Sequence, residues 1–392
     1  MKNKKVLIAV IAAIVVIAAI VVVVALLPKN DDDKGTTAPS TSSTTSSTTS
    51  STTSSTTSST QGSTSNPQVY VYKLGMGVAF GGHTAVESNA TVATVVLDAD
   101  GKIVSCRLDC AQNKYGYSDD NGDIVFTRLK SKMELGDEYA MAAWGTPNVQ
   151  GGTVKEWYEQ AKAFEAYVVG MTVEEVEALE TQVVNNHNIA KDDALLNAGC
   201  TIDIVDFKAA VVKACNDDQA VTFELEEGTV FTLGVAVNSE NDGSSADDEE
   251  NYTIKMNVEF AASAVVDGKI VASLNDAYQP QIAVEDGEVV SATVGKGEAL
   301  GLMTKRELKG NYKMADYGTP NVEGGTVKEW YVQSAAFSEY VIGKTGAEVL
   351  GLATQSVNNH NISADDALLN AGCTIDIVGI KTVVAESVTN AR

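Results

Sequence analysis

Basic residues are scarce in this sequence: 28 lysines and arginines stand against 52 aspartates and glutamates, giving a formal charge of −24. Outside the first five residues there is no basic cluster to neutralise phosphates, so no nucleic-acid partner is expected. The three histidines are not clustered with cysteines or paired carboxylates, so no metal site is predicted. Serine nucleophile elbows, phosphate loops and dinucleotide fingerprints are missing too, and no hydrolase or transferase is indicated.

A long internal duplication is the most informative feature that is present. Residues 132–213 align without a gap onto residues 305–386 at a constant offset of 173, and 53 of the 82 positions are identical. A period of this length is a duplicated domain rather than a solenoid unit. The two copies therefore act as an alignment of two sequences, in which shared residues mark a shared fold or site.

The five cysteines do not form an evident disulfide framework. Cys373 is alone in the second copy, and Cys200 occupies the same place in the first, so neither is required to be bridged. Cys106 and Cys110 are four residues apart in a predicted strand, about 13 Å, which is too far for a disulfide unless the strand bends. They are interpreted as small buried apolar residues.

The N-terminus carries a run of 22 apolar residues at positions 6–27, long enough to cross a bilayer as a helix. Lysines precede it and aspartates follow it, which predicts a cytoplasmic segment at 1–5 and an extracytoplasmic remainder. The expected protein is thus single-pass in the cell membrane, with the membrane as a partner through 6–27; a cleaved secretory signal is the competing interpretation. Residues 28–67, rich in serine and threonine, predict a disordered stalk.

Each copy is predicted to fold as an α+β domain, with boundaries at 68–219 and 220–392. Alternating β-branched segments come first and predict an antiparallel sheet, with a hairpin turn at the DADG sequence, 98–101. Helices follow, opened by Thr-x-x-Glu capping boxes at Thr153 and Thr172 and their equivalents in the second copy. CTIDIV alternates like a strand, and a last helix ends each copy.

Two segments are candidate ligand sites. The glycines at Gly152 and Gly325 precede a predicted helix, where backbone N–H groups and the helix dipole would hold a phosphate. An ordinary capped turn is the alternative. The second segment is NAGCT, at 197–201 and 370–374, after paired aspartates.

The NAGCT segment and the Asp-Gly-Lys-Ile turns at 100–103 and 267–270 resemble the flavin-mononucleotide-binding domain of bacterial extracytoplasmic proteins. The chain is also similar to tandem repeats of clostridial surface lipoproteins. In flavinylated members of the FMN-binding domain family, the threonine of an Asp-x-x-Ser-Gly-Ala-Thr type motif carries FMN through a phosphoester. The corresponding sequence here is Ala-Gly-Cys-Thr. The resemblance implies an FMN-binding site in each copy. Its implied residues are Thr201, Thr374, Cys200, Cys373, Gly199, Gly372, Asp193 and Asp366.

Two functions from different classes follow. The resemblance implies flavin-dependent electron transfer with an extracellular redox or cell-surface partner. The alternative is a cofactor-free structural or adhesive cell-surface protein, in which the tandem domains act as spacers or binding heads. NAGCT would then begin a half-buried strand, with Thr201 solvated.

Overall fold

The structure, a computed structural model, describes residues 68–120, 122–294 and 302–392, which belong to one compact unit. The strands are β1 (Val69–His83), β2 (Glu87–Leu97), β3 (Ile103–Ser118), β4 (Asp123–Arg128), β5 (Thr181–Val184), β6 (His187–Ala190), β7 (Val221–Glu226), β8 (Thr232–Asn241), β9 (Ser245–Ala246), β10 (Tyr252–Val266), β11 (Lys269–Tyr278), β12 (Pro280–Glu285), β13 (Glu288–Val294), β14 (Thr354–Val357) and β15 (His360–Ser363). The helices are α1 (Lys132–Leu135), α2 (Met141–Trp144), α3 (Trp157–Val168), α4 (Val173–Glu177), α5 (Asp193–Ala198), α6 (Val205–Cys215), α7 (Lys305–Leu308), α8 (Met314–Tyr317), α9 (Trp330–Tyr340), α10 (Gly346–Leu350), α11 (Asp366–Ala371) and α12 (Val378–Thr389).

Two antiparallel sheets form the centre of the molecule, which confirms the predicted α+β class. The first has the strand order β4-β3-β2-β1-β7. In the second, β10 pairs with β8 and β11 along one half and with β9 and β12 along the other, and β13 pairs with β12. The short pairs β5–β6 and β14–β15 lie outside both sheets.

The layers run helices, sheet, sheet, helices. Because strand side chains alternate between faces, neighbours such as Val92 and Ala93 enter different cores. Val92 joins a core shared by both sheets, to which the second copy contributes Leu233. Ala93 faces the helices of the first copy, and Ala236 faces those of the second. Each sheet is therefore buried on both sides.

The predicted turns between the central strands are confirmed. β2 and β3 are joined by the turn at 98–102, where the Lys102 N–H donates to Asp98 Oδ1 at 2.9 Å. β10 and β11 are joined at Asp267 and Gly268, both with positive φ, as a two-residue hairpin of type I′ requires.

Two local predictions are wrong. CTIDIV is not a strand: residues 200–204 form an irregular segment that leads into α6. The preceding NNHN sequence forms the tip of the β5–β6 hairpin. The capping box expected at Thr153 is absent, because α3 starts only at Trp157, whereas the box at Thr172 and Glu175 is present.

A strand of the second copy pairs with a strand of the first. The boundary at 219/220 falls just before β7, which pairs with β1 of the first copy from Val69 opposite Glu226 to Leu74 opposite Val221. Separate folding of 68–219 and 220–392 stays a prediction, and separation would expose the apolar face that each sheet buries against the other.

The membrane prediction needs correction. No helix within the described residues is long and apolar enough to span a bilayer. The expected span at 6–27 and the stalk at 28–67 lie outside the described residues. The single-pass membrane location thus has no counterpart in the described structure.

His83 lies where the two copies meet and makes folding sensitive to acid. Its Nε2 is hydrogen-bonded to the Tyr278 hydroxyl and its ring stacks on the tyrosine ring at 5.8 Å, while its Nδ1 is buried without a partner. Burial lowers the pKa of His83 from 6.5 to about 4. Between these values the unfolded chain binds a proton that the folded chain excludes, so this contribution to stability is full above pH 6.5 and falls as the pH decreases.

We therefore expect His83→Gln to flatten the acid limb of the stability profile. Relative to neutral pH, the wild type should lose up to about 2 kcal/mol more than the variant at a pH of about 5. Urea unfolding at both pH values measures this difference. Identical losses in the two proteins would contradict the assignment.

Candidate functional site

Each copy contains a cavity between its sheet, its first long helix and its short hairpin. The cavities measure about 520 Å³ in the first copy and about 400 Å³ in the second. Both lie in the size range of small-molecule sites. The identical polar and aromatic lining residues, each with its equivalent 173 residues later, are Lys132, Thr146, Asn148, Trp157, Gln160, His187, Thr201 and Asp203. The duplication therefore carries a duplicated cavity.

A lysine at the start of a short helix forms one wall. Lys132 Nζ lies 5.1 Å from the centre of the Tyr139 ring and 5.4 Å from that of Trp157, distances that favour cation–π attraction. Lys305 lies 5.2 Å from each of the equivalent rings. Burial lowers the pKa of Lys132, but the neighbouring Cys110 and Tyr139 outweigh it, so the pKa lies above the usual lysine value. Lys132 thus places its amino group in the wall of the cavity, over two aromatic rings.

Buried aspartates on the central strands hold these short helices in place. Asp109 Oδ1 accepts the Met133 N–H at 3.0 Å, and Asp276 Oδ1 accepts the Arg306 N–H at 3.0 Å. Burial raises the pKa of both aspartates to about 6, an effect partly offset by these hydrogen bonds and, for Asp276, by Arg306. Each lysine is consequently positioned by the sheet rather than by a loop.

A buried glutamine forms the floor of each cavity. Gln160 Oε1 accepts the Thr201 N–H at 2.9 Å and the Thr201 hydroxyl at 3.2 Å, while its amide group donates to the Lys155 carbonyl at 2.8 Å. Gln333 repeats these bonds around Thr374 at 2.8, 3.1 and 2.8 Å. The threonine hydroxyl is oriented by this contact and keeps acceptor capacity at the cavity.

Asparagines tie the exposed loops to the same place. Asn148 donates to the Thr201 carbonyl at 2.9 Å, and Asn185 donates to Asn148 Oδ1 at 3.1 Å. Asn185 and Asn186 have φ of 50° and 64°, as a two-residue hairpin of type I′ requires. The GTPN and NNHN sequences are therefore shared for a structural reason, and they place His187 at the cavity rim.

The predicted site residues fall in and around this cavity. Thr201 and Thr374 line it. Cys200 and Cys373 are fully buried in the two helix-side cores, and burial raises the pKa of each thiol to about 12. All five cysteines lie within the described residues, where each is buried and none forms a disulfide.

Gly199 and Gly372, two of the predicted site residues, have a structural role at the ends of short helices. Gly199 ends α5 with φ 101°, and a Cβ there would lie 2.7 Å from Cε of Lys155; Gly372 does the same for α11 beside Lys328. Lys155 donates to the Ala198 carbonyl at 3.3 Å, at the C-terminal end of α5.

The remaining predicted residues lie on exposed turns. Asp193 and Asp366 are exposed first residues of α5 and α11, and their neighbours Asp192 and Asp365 make the N-caps. Gly152 and Gly325 lie in exposed turns, each five residues before its helix begins, so no helix dipole acts there.

No family model, curated protein or solved structure matches this chain. The comparisons therefore carry no information on the resemblance to FMN-binding domains. The assignment as a flavoprotein has no support from them or from the structure, and FMN binding stays a prediction that neither of them tests. The function must be argued from the cavities themselves.

Replacing Gln160 tests the organisation of the cavity floor. In Gln160→Leu the Thr201 N–H loses its acceptor, and an unsatisfied amide costs roughly 1–3 kcal/mol. We expect exchange of the Thr201 amide to become at least about 10-fold faster, with Thr374 unchanged. Hydrogen exchange followed by NMR measures both amides in one sample. Equal rates at Thr201 in variant and wild type would show that Gln160 does not hold the floor.

Proposed function

We propose that this chain is a binding protein for a small polar molecule, with one binding pocket in each copy. The observation that carries the proposal is the repetition of one lining, lysine, tryptophan, glutamine, threonine and asparagine, in both cavities. A lining of this kind combines an aromatic wall with a few fixed polar groups, the usual composition of ligand sites.

Hydrogen bonds within the protein hold the polar groups of the pocket in place. Lys132 is held through the sheet by Asp109, and Thr201 is held by Gln160 on the long helix α3. Pre-organised groups reduce the entropy that binding would otherwise cost. This supports binding as the task of the cavities.

The three tryptophans allow a direct test. Trp157 and Trp330 line the two cavities, whereas Trp144 is 87% exposed. In Trp144→Tyr, which copies the residue at the equivalent position 317, tryptophan fluorescence comes from the cavities alone. A panel of metabolite classes should contain ligands that change this fluorescence saturably.

The matched control removes the two cavity lysines. The response should disappear when Lys132→Met and Lys305→Met are added to Trp144→Tyr. A protein whose fluorescence and melting temperature respond to no class in the panel would leave the cofactor-free structural or adhesive role as the better account.

A further inference from the structure

The two pockets keep a carboxylate at one place, although they take it from different positions of the chain. Thr91 pairs with Cys110 in the β2–β3 ladder, and Glu259 pairs with Ala277 in the β10–β11 ladder. Cys110 and Ala277 each follow the shared buried aspartate, so Thr91 and Glu259 are equivalent.

The last helix shows the reciprocal change. Its second residue is Asp206 in α6 and Gly379 in α12. The first pocket therefore has threonine on the strand and aspartate on the helix, whereas the second has glutamate on the strand and glycine on the helix. A Cβ on residue 379 would lie 2.6 Å from Oε1 of Glu259 and closer still to Oε2, so the glycine gives the glutamate its room.

Both carboxylates line their cavities; Glu259 is buried and Asp206 is half-buried. Glu259 is 8% exposed, and its Oε2 is buried without a hydrogen-bond partner. Burial raises the pKa of Glu259 to about 7, an effect that Lys305 partly offsets. Burial and the nearby Asp203 raise the pKa of Asp206, and Lys132 opposes them. A buried acceptor left without a donor in the protein is a position for a donor on a ligand.

The lysines opposite are unpaired as well. Within the described residues, neither Lys132 nor Lys305 forms a salt bridge, although Lys305 is only 8% exposed. A buried ammonium without a counter-charge is costly. Each pocket thus holds one lysine without a salt bridge together with more than one carboxylate. Asp203 and Asp376 accept backbone N–H groups, whereas Glu259 Oε2 has no hydrogen-bond partner.

We propose that each pocket binds a zwitterion of the α-amino-acid type, with the ligand carboxylate on Lys132 or Lys305 and the ligand ammonium on Asp206 or Glu259. This inference rests on the proposed binding function and names its ligand class. The wall of Met141, Val154, Trp157 and Ile202 then receives the side chain of the ligand.

The first experiment uses charge-deleted ligands on the full-length Trp144→Tyr protein. The first probe is a mixture of the standard amino acids. The second set compares L-leucine with 3-methylbutylamine, which lacks the carboxylate of leucine, and with 4-methylpentanoate, which lacks its ammonium group. We expect a saturable response to the mixture, and weaker binding by about 30-fold or more for any active amino acid that loses either charge. A response to the amine alone, with equal affinity, would overturn the zwitterion in favour of a plain cation.

The second experiment moves the carboxylate. Asp206→Gly should abolish binding in the first pocket, and adding Thr91→Glu should restore it by rebuilding the arrangement of the second pocket. Glu259→Gln should abolish binding in the second pocket and leave binding in the first pocket unchanged. Melting curves show whether each variant is folded. Restored binding in the double variant would show that the carboxylate recognises the ligand. If Asp206 served only the stability of the fold, a carboxylate placed at position 91 would not restore binding.

The two proposals fail separately. A protein that binds other members of the metabolite panel but no amino acid would refute the zwitterion and leave the binding function standing. A protein that responds to nothing refutes both. Unchanged amino-acid binding in Asp206→Asn and Glu259→Gln would show that the carboxylates do not recognise the ligand.

Discussion

Gly234→Ala is expected to destabilise the protein by at least about 3 kcal/mol, the upper range for adding a group to a well-packed interior. Gly234 lies on β8, where α12 crosses the sheet. An added Cβ would stand 2.9 Å from the carbonyl carbon of Ser387, closer still to its oxygen, and 3.0 Å from the backbone nitrogen of Ala391. These atoms belong to backbone, which cannot rotate away, so the helix itself would have to move.

The first copy repeats this contact between Gly75 on β1 and Ala214 on α6, where a Cβ would stand 3.2 Å from the Ala214 carbonyl carbon. The Leu-Gly pair at 74–75 and 233–234 is thus a shared packing device. Gly75→Ala should destabilise in the same way, and combining it with Gly234→Ala should leave no cooperative unfolding transition.

Gly310→Ala is the matched control, because a Cβ at that exposed position meets nothing within 4 Å. Urea unfolding of the variants measures the effect. A Gly234→Ala protein as stable as Gly310→Ala would contradict the close approach of α12 to the second sheet.

Arg306→Met is expected to cost about 3–5 kcal/mol, the usual result of removing one partner of a buried ion pair. Arg306 Nη2 donates to both oxygens of Asp217, at 3.2 and 3.0 Å, and to the Gln219 carbonyl at 3.1 Å. Both side chains of the pair are 7% exposed. The pair joins a short helix of the second copy to the segment that follows the last helix of the first, so its loss should weaken the contact between the two copies.

A neighbouring pair provides the control. Lys309 binds Asp218 between the same two segments, but its side chains are 43% and 66% exposed. Exposed pairs contribute about 0–1 kcal/mol. Lys309→Met should therefore change the free energy of unfolding by less than about 1 kcal/mol.

The reason for the cost can be tested as well. Adding Asp217→Asn to Arg306→Met removes the uncompensated charge and should recover part of the stability. Recovery is incomplete because Asp217 also accepts the Met76 N–H at 3.1 Å and the Gln219 N–H at 2.9 Å. An Arg306→Met protein that unfolds like Lys309→Met would show that this pair does not link the copies.

The fold class and most elements could be predicted because they depend on local patterns. Alternation gave the central strands, and the Asp-Gly turns gave the hairpins between them. The assignment of CTIDIV failed because its alternation reflects burial: Cys200 and Ile204 face the core from an irregular segment. In this segment the Thr201 N–H binds the Gln160 side chain, and the Ile204 N–H makes a single bond to the Asn188 carbonyl, so no strand ladder forms. Sequence periodicity does not distinguish these two cases.

The position of the site could be predicted only in part. Thr201 was found through a motif, and it does line the cavity. Lys132, Gln160 and Asn148 were missed, since each is an isolated polar residue with no motif, although each is identical in the second copy. Alignment of the copies does not reveal the exchange of Asp206 for Glu259, because the two carboxylates stand at positions that do not align. The equivalence of Thr91 and Glu259 follows only from the pairing of the strands.

The central claim is that the two copies present the same binding pocket, and counting bound ligands tests it most directly. Native mass spectrometry of the full-length chain, with a ligand identified by the fluorescence panel, should show two molecules bound per chain. Lys132→Met and Lys305→Met should each bind one, and the double variant none. A single molecule bound per wild-type chain, retained in both single variants, would contradict the account.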